Sequence, residues 1–188
     1  MKGFTILYAG NVGAAQGLEV VLNAAELLKD HKHIQFAILG GGVELEKLKQ
    51  TRNQKNLENV VFINQVPVSY VSNILNSADA LLVHLVSNRL SDIMIPSKTQ
   101  AYLRQGKPIL MGVDGEASGL IKKFEAGICF KSGDEVSLAK KAIQMSGLNY
   151  ETLRIMGNNG KFFYTQLLSL EVGTQKFLKI FEILITKN

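Results

Sequence analysis

Short apolar runs alternate with amphipathic stretches along most of the chain. TILYA (5–9) precedes a helical pattern over 17–29, IQFAIL (34–39) one over 43–52, and VVFI (60–63) one over 67–75. The rhythm continues with ALLVHL (80–85) before 96–104, PILMG (108–112) before 115–124, and GICF (127–130), with helical patterns alone from 135 onward. Apolar runs this short, each followed by helical periodicity, predict strands buried on both faces. The expected architecture is α/β, a Rossmann-like, six-stranded, all-parallel sheet with helices on both faces. Right-handed crossovers would set the loops that begin at Gly10, Gly40, Asn64, Val86 and Val113 along one edge, where doubly wound sheets bind ligands. The tail, 150–185, holds two more helical patterns, and the second, VGTQKFLKIFEILI, is apolar on more than one face.

Composition narrows the picture without changing it. At 188 residues with 46% hydrophobic and 20% charged, the chain fits one globular domain with one substantial core. No internal repeat or low-complexity linker divides it. The single cysteine, Cys129, gives no disulfide framework and no metal-ligand spacing, and in GICF it reads as a small buried hydrophobe. MKGFTILYAG reaches glycine too soon for a signal peptide, and no apolar run has membrane length, so a reducing cytoplasmic setting is expected. The net charge of +5 is modest and lacks an aromatic-interleaved basic stripe, which argues against a nucleic-acid partner.

The candidate chemistry centres on IMIPSKTQAYLRQGKPILMG, 93–112. Pro96 opens a helix whose first-turn residues Ser97, Lys98 and Thr99 are expected to face outward, and a helix N-terminus offers unpaired N–H groups and about half a positive charge to an anion. A nucleotide is the expected ligand. The first loop, GNVGAAQG, lets backbone approach a phosphate or serves as a tight turn. Its glycines, Gly10, Gly13 and Gly17, do not fit the dinucleotide fingerprint, the second strand ends in Gly40-Gly41-Gly42 instead of an acid, and no P-loop is present. Gly40 and Gly41 suit chain reversal or close approach to a base or sugar. His84 stands at a strand end, either as a donor to phosphate or sugar or as a hydrogen-bonded structural histidine. Asp92, in SNRLSD, is a candidate acceptor for a sugar hydroxyl. No nucleophile and base, no carboxylate pair and no metal site emerge, and no cofactor is expected.

Five segments, YAGNVGAAQGLEVVLNAAELL, FAILGGG, VVFINQVP, SADALLV and above all PSKTQAYLRQGKPIL, together resemble the C-terminal, donor-binding domain of a retaining glycosyltransferase of the GT-B fold, family 4, in the branch that builds bacterial O-antigen and capsule. The resemblance implies a single nucleotide-sugar-binding domain over 1–188, with 150–188 as C-terminal helices packing on an N-terminal domain that the sequence does not contain. It also implies transfer of a sugar, an acetamido sugar being one candidate, from a UDP-sugar to a lipid-linked acceptor at the inner face of the plasma membrane. Such enzymes carry a basic pair in the first loop, where this chain has Asn11 and Gln16, and two glutamates eight positions apart, where it has Ile93 and Ala101. Gln100 or Asp92 would have to substitute, and no catalytic glutamate carries over. The donor-binding set implied is Gly10, Asn11, Gly13, Gln16, Gly40, Gly41, His84, Asp92, Pro96, Ser97, Lys98, Thr99 and Gln100. Two other classes stay open: a GT-B-like nucleotide-sugar epimerase, and a non-catalytic binding or assembly module.

Overall fold

Alternation along each strand sends neighbouring side chains to opposite faces, so every strand feeds two cores. In the computed structural model, which describes residues 3–186, the strands are β1 (Phe4–Ala9), β2 (Ile34–Leu39), β3 (Val60–Ile63), β4 (Ala80–His84), β5 (Ile109–Gly112) and β6 (Gly127–Cys129). They form one sheet in the order β3-β2-β1-β4-β5-β6, and each adjacent pair is parallel. The helices are α1 (Glu19–Leu27), α2 (Leu45–Gln54), α3 (Val68–Asn76), α4 (Ser97–Gln105), α5 (Glu116–Lys123), α6 (Glu135–Ser146), α7 (Tyr150–Phe163) and α8 (Leu170–Thr186). The strand order reverses between β1 and β4, the place where crossovers leave opposite faces and a crevice opens at the carboxyl ends.

On one face, Ile6, Tyr8, Phe36, Ile38 and Leu82 pack with Val21 and Leu22 of α1, Leu48 of α2 and Leu138 of α6. On the other, Leu7, Ala37, Leu81 and Val83 pack with Leu75 of α3, Tyr102 and Leu103 of α4, Ile121 of α5 and Phe163 of α7. Local signals set the helix ends. Asp134 and Asn149 each accept an N–H at 2.8 Å, from Ser137 and Thr152, and so cap α6 and α7. Gly106, at φ +70, ends α4 in the left-handed conformation before Pro108.

Two expectations need correction. Cys129 is half-buried instead of buried, because β6 is a three-residue edge strand. It is unpaired, with its thiol 3.7 Å from the Ser118 carbonyl. The tail divides in two. Helix α7 closes this domain's own core: a side chain at Gly157 would strike the Gly106 carbonyl, and Phe163 stacks on Phe124 with ring centroids 4.2 Å apart. After a π-helical turn over Tyr164–Leu168, α8 leaves Phe177 64% and Phe181 55% exposed. Positions 187 and 188, in the expected tail, lie outside the described residues. Among the described residues, no helix is long and apolar enough to cross a membrane.

Candidate functional site

The loops that leave β1 and β2 are laced together by backbone hydrogen bonds. Gly10 N–H donates to the Leu39 carbonyl at 2.9 Å and Val12 N–H to the Gly41 carbonyl at 2.8 Å. Such contact requires glycine: Gly40 has φ +139, and a Cβ there would run into the Gly10 carbonyl. The two loops form one side of a cleft of about 430 Å³ at the carboxyl edge of the sheet. Gly10, Asn11, Gly40 and Gly41 face it from β1 and β2, Gln65 and Val66 from the loop after β3, and Val71, Leu75, Lys98, Ala101 and Tyr102 from α3 and α4.

Lys98 is the cation of this cleft, and it is held by aromatic and polar neighbours instead of a carboxylate. Its ammonium donates to the Tyr8 hydroxyl and lies 3.7 Å from the centroid of the same ring. The Tyr8 hydroxyl passes the chain on, donating to the Asn11 carbonyl at 2.5 Å. Burial holds the Lys98 ammonium down to about 7 and pushes the Tyr8 phenol up, so Tyr8 stays a neutral donor. Tyr102 pins the end of β1 from above, donating to the Ala9 carbonyl at 2.9 Å and accepting the Ala9 N–H at 2.7 Å.

The expected basic-pair positions are tied to one another. Gln16 Oε1 accepts from Asn11 Nδ2 at 3.2 Å and from the Gly13 N–H at 3.1 Å, and the segment Ala14–Gln16 is a 3-10 turn. The first loop thus caps its own donors.

Five of the thirteen sequence-derived positions meet in the cleft: Gly10, Asn11, Gly40, Gly41 and Lys98. Gly13 and Gln16 lie just behind them through the hydrogen bonds to Gln16. His84 is corrected to a structural histidine. It is 1% exposed; its Nδ1–H donates to the Gln16 carbonyl at 2.6 Å, and its Nε2 accepts the Gly133 N–H at 3.0 Å. Its ring stacks on Phe130 and burial lowers its basicity, so neither nitrogen is left for a ligand. Thr99 does not face outward as expected: it is buried, its N–H donates to the Pro96 carbonyl at 2.8 Å, and its hydroxyl has no partner among the described residues. Ser97 is the exposed member of the helix start, and Pro96 is buried at the N-cap position. Asp92 belongs to another junction, its carbonyl accepting the Glu116 N–H at 2.9 Å against Gly115, and neither it nor Gln100 lines the cleft. Sequence reading passed over Tyr8, Tyr102 and the apolar wall, and reached Gln65 only through its loop, which begins at Asn64.

A second hollow, of about 390 Å³, opens at the amino ends of the strands between Lys29, Lys32 and Asn59. Parallel sheets with crossover helices place helix N-termini at the other edge, which favours the Lys98 cleft for an anionic ligand. Among the described residues, no group of three or more His, Cys, Asp or Glu could hold a metal ion.

Comparison with known proteins places this geometry. The family profile described as Glycosyl transferases group 1 matches residues 1–163. The chain is 27% identical over 171 residues to the probable glycosyltransferase WbjE of Pseudomonas aeruginosa, covering 87% of this chain and 41% of that protein. It is 36% identical over 101 residues to the putative colanic acid biosynthesis glycosyl transferase WcaI of Escherichia coli, covering 54% and 24%. The chain therefore spans less than half the length of either relative. Among solved structures, Anabaena HepE in complex with UDP superposes with a TM-score of 0.77 at 14% identity, over 96% of this chain and 49% of that one. The C-terminal domain of the group 1 protein LpcC from Francisella tularensis superposes with a TM-score of 0.74 at 14% identity, over 90% and 89%.

Proposed function

The chain belongs to the glycosyl transferases group 1, and from that premise we propose that it is the donor-binding half of a retaining glycosyltransferase that moves a sugar from a UDP-sugar to a lipid-linked acceptor. The observation that carries the reading is the cleft at the carboxyl edge with Lys98 as its cation, at the start of α4 and facing Gly10. Lys98 and the α4 N-terminus take the diphosphate, and the base lies by Gly40, Gly41 and Gln65. Transfer leaves the nucleoside diphosphate with added negative charge, and a preplaced ammonium and helix N-terminus stabilise that charge as it develops.

The acceptor and the groups that align it belong to an N-terminal domain, and α8, with Phe177, Phe181 and Leu184 exposed, packs against it. The partial coverage of WbjE and WcaI supports this two-part plan. Surface-polysaccharide synthesis at the inner face of the plasma membrane is the setting, supported by the colanic acid role in the WcaI name. An acetamido sugar is the candidate for the group moved, on the sequence resemblance alone.

The test is a transfer assay with UDP-sugars and a lipid-diphosphate acceptor. The 188-residue chain alone binds donor and transfers nothing, because both substrates must be aligned in one closed cleft. Joining the N-terminal domain, in cis or in trans, restores turnover. Turnover by the chain alone would overturn the half-enzyme reading, and none by the two-domain protein with any donor would favour a non-catalytic module.

A further inference from the structure

One wall of the cleft lacks a group that reads a ribose. Resting on the donor reading above, we infer that the site makes no use of the nucleotide's 2′-hydroxyl and takes ribo- and 2′-deoxyribonucleoside diphosphates alike, so that deoxythymidine diphosphate sugars belong to its donor class.

With phosphate at Lys98 and Gly10 and the base by Gly41 and Gln65, the pentose between them lies against the α3–α4 wall. That wall is Val71, Leu75, Ala101 and the ring of Tyr102. Its polar atom, the Tyr102 hydroxyl, is used twice, donating to the Ala9 carbonyl and accepting the Ala9 N–H. Two side-chain amide oxygens border the cleft, those of Asn11 and Gln65, and they stand on the loops after β1 and β3 and not on α3 or α4; the Asn11 Nδ2 donates to Gln16 Oε1. Among the described residues, no aspartate or glutamate lines the cleft.

Selecting a ribose needs an acceptor for its hydroxyl protons, for which a carboxylate is well suited. A site built to bond a hydroxyl rejects an analogue without it by orders of magnitude, because its own polar group is left unpaired. Here the reverse holds: Ala101 is exposed, so a 2′-hydroxyl beside it keeps its water and gains no protein partner. A 2′-deoxy pentose meets the same side chains and gives up no bond to the protein.

The experiment titrates UDP, 2′-deoxy-UDP and dTDP into the 188-residue chain by calorimetry, in wild type, Ala101→Glu and Ala101→Gln. Ala101 is exposed on α4, so both variants keep the fold. Glutamate at 101 also comes within one turn of Lys98 and weakens all three nucleotides together, so the ratio of affinities is the readout. In wild type the three dissociation constants agree within about threefold, and at least one variant favours UDP over 2′-deoxy-UDP by about fivefold or more. A wild-type preference for UDP above that threefold limit would overturn this inference and leave the donor reading standing. Ratios below fivefold in both variants would overturn the placement of the pentose on α4. Failure of every nucleotide to saturate the wild type would overturn the donor reading itself.

Discussion

Lys98 holds its ammonium 3.7 Å from the centroid of the Tyr8 ring and donates to that ring's hydroxyl, so the cation of the cleft rests on a neutral aromatic, with no counter-charge beside it among the described residues. Burial keeps its pKa near 7. An anion bound beside it favours the charged form, so binding takes up a proton above pH 7 and UDP affinity falls as pH rises from 7 to about 9, beyond the phosphate's own last titration near 6. Calorimetry in buffers of different ionisation enthalpy reads the proton directly, and Lys98→Ala abolishes both the uptake and the pH dependence.

The same lysine sets a stability slope. Unfolded, it titrates near 10.4, so between about 7 and 10.4 the unfolded chain binds the extra proton and stability rises with pH; below 7 its contribution is flat. Urea midpoints of wild type minus Lys98→Met across this window should show that rise.

Gly40→Ala puts a methyl group against the Gly10 carbonyl at a backbone angle, φ +139, that side chains rarely adopt. A loss of about 2 kcal/mol or more is expected, together with UDP binding, because the β1 and β2 loops cannot stay laced. Urea unfolding checks the first and titration the second. Unchanged stability would mean that the loops yield more easily than the contact implies.

His84→Leu separates structural from ligand roles. It strands the Gln16 carbonyl and the Gly133 N–H, at about 1–3 kcal/mol each. Thermal unfolding should register that loss while the folded variant binds UDP as tightly as wild type. A tenfold loss of affinity at preserved stability would restore His84 to the binding site.

Asn11→Arg adds a charge at the rim of the cleft, where Asn11 is exposed. A charge-assisted bond to phosphate is worth about 1.5–3 kcal/mol when formed, less when solvated, so UDP should bind about five- to tenfold tighter at low salt, and the gain should shrink with added salt. No gain would show that the diphosphate lies farther from the first loop than Lys98 implies.

The architecture was legible because its cause is local. Each apolar run had the length of a strand and each following stretch the period of a helix, and Gly10, Gly40 and Gly106 mark backbone angles that few other residues adopt. Lys98 was legible as part of a helix start. Its partner was not, because Tyr8 in TILYA looks like one more core position, and what makes it part of the site is a contact across 90 positions. Tyr102 is the same case, since Ala9 is 93 positions away. His84 was ambiguous for a related reason: a strand end says where the ring is, and the backbone of Gln16 and Gly133 decides what it does. The half-burial of Cys129 follows from β6 being the sheet edge, a fact of strand order that GICF alone does not carry.

The claim that the Lys98 cleft holds the donor's nucleotide is tested most directly by following backbone amides of the ¹⁵N-labelled chain by NMR during titration with UDP. The amides of Gly10, Gly40, Gly41, Ser97 and Lys98 should shift to saturation, and Lys98→Ala should weaken the response without moving it. Unshifted signals there at saturating UDP, or shifts gathered at the opposite edge around Lys29 and Lys32, would contradict the claim.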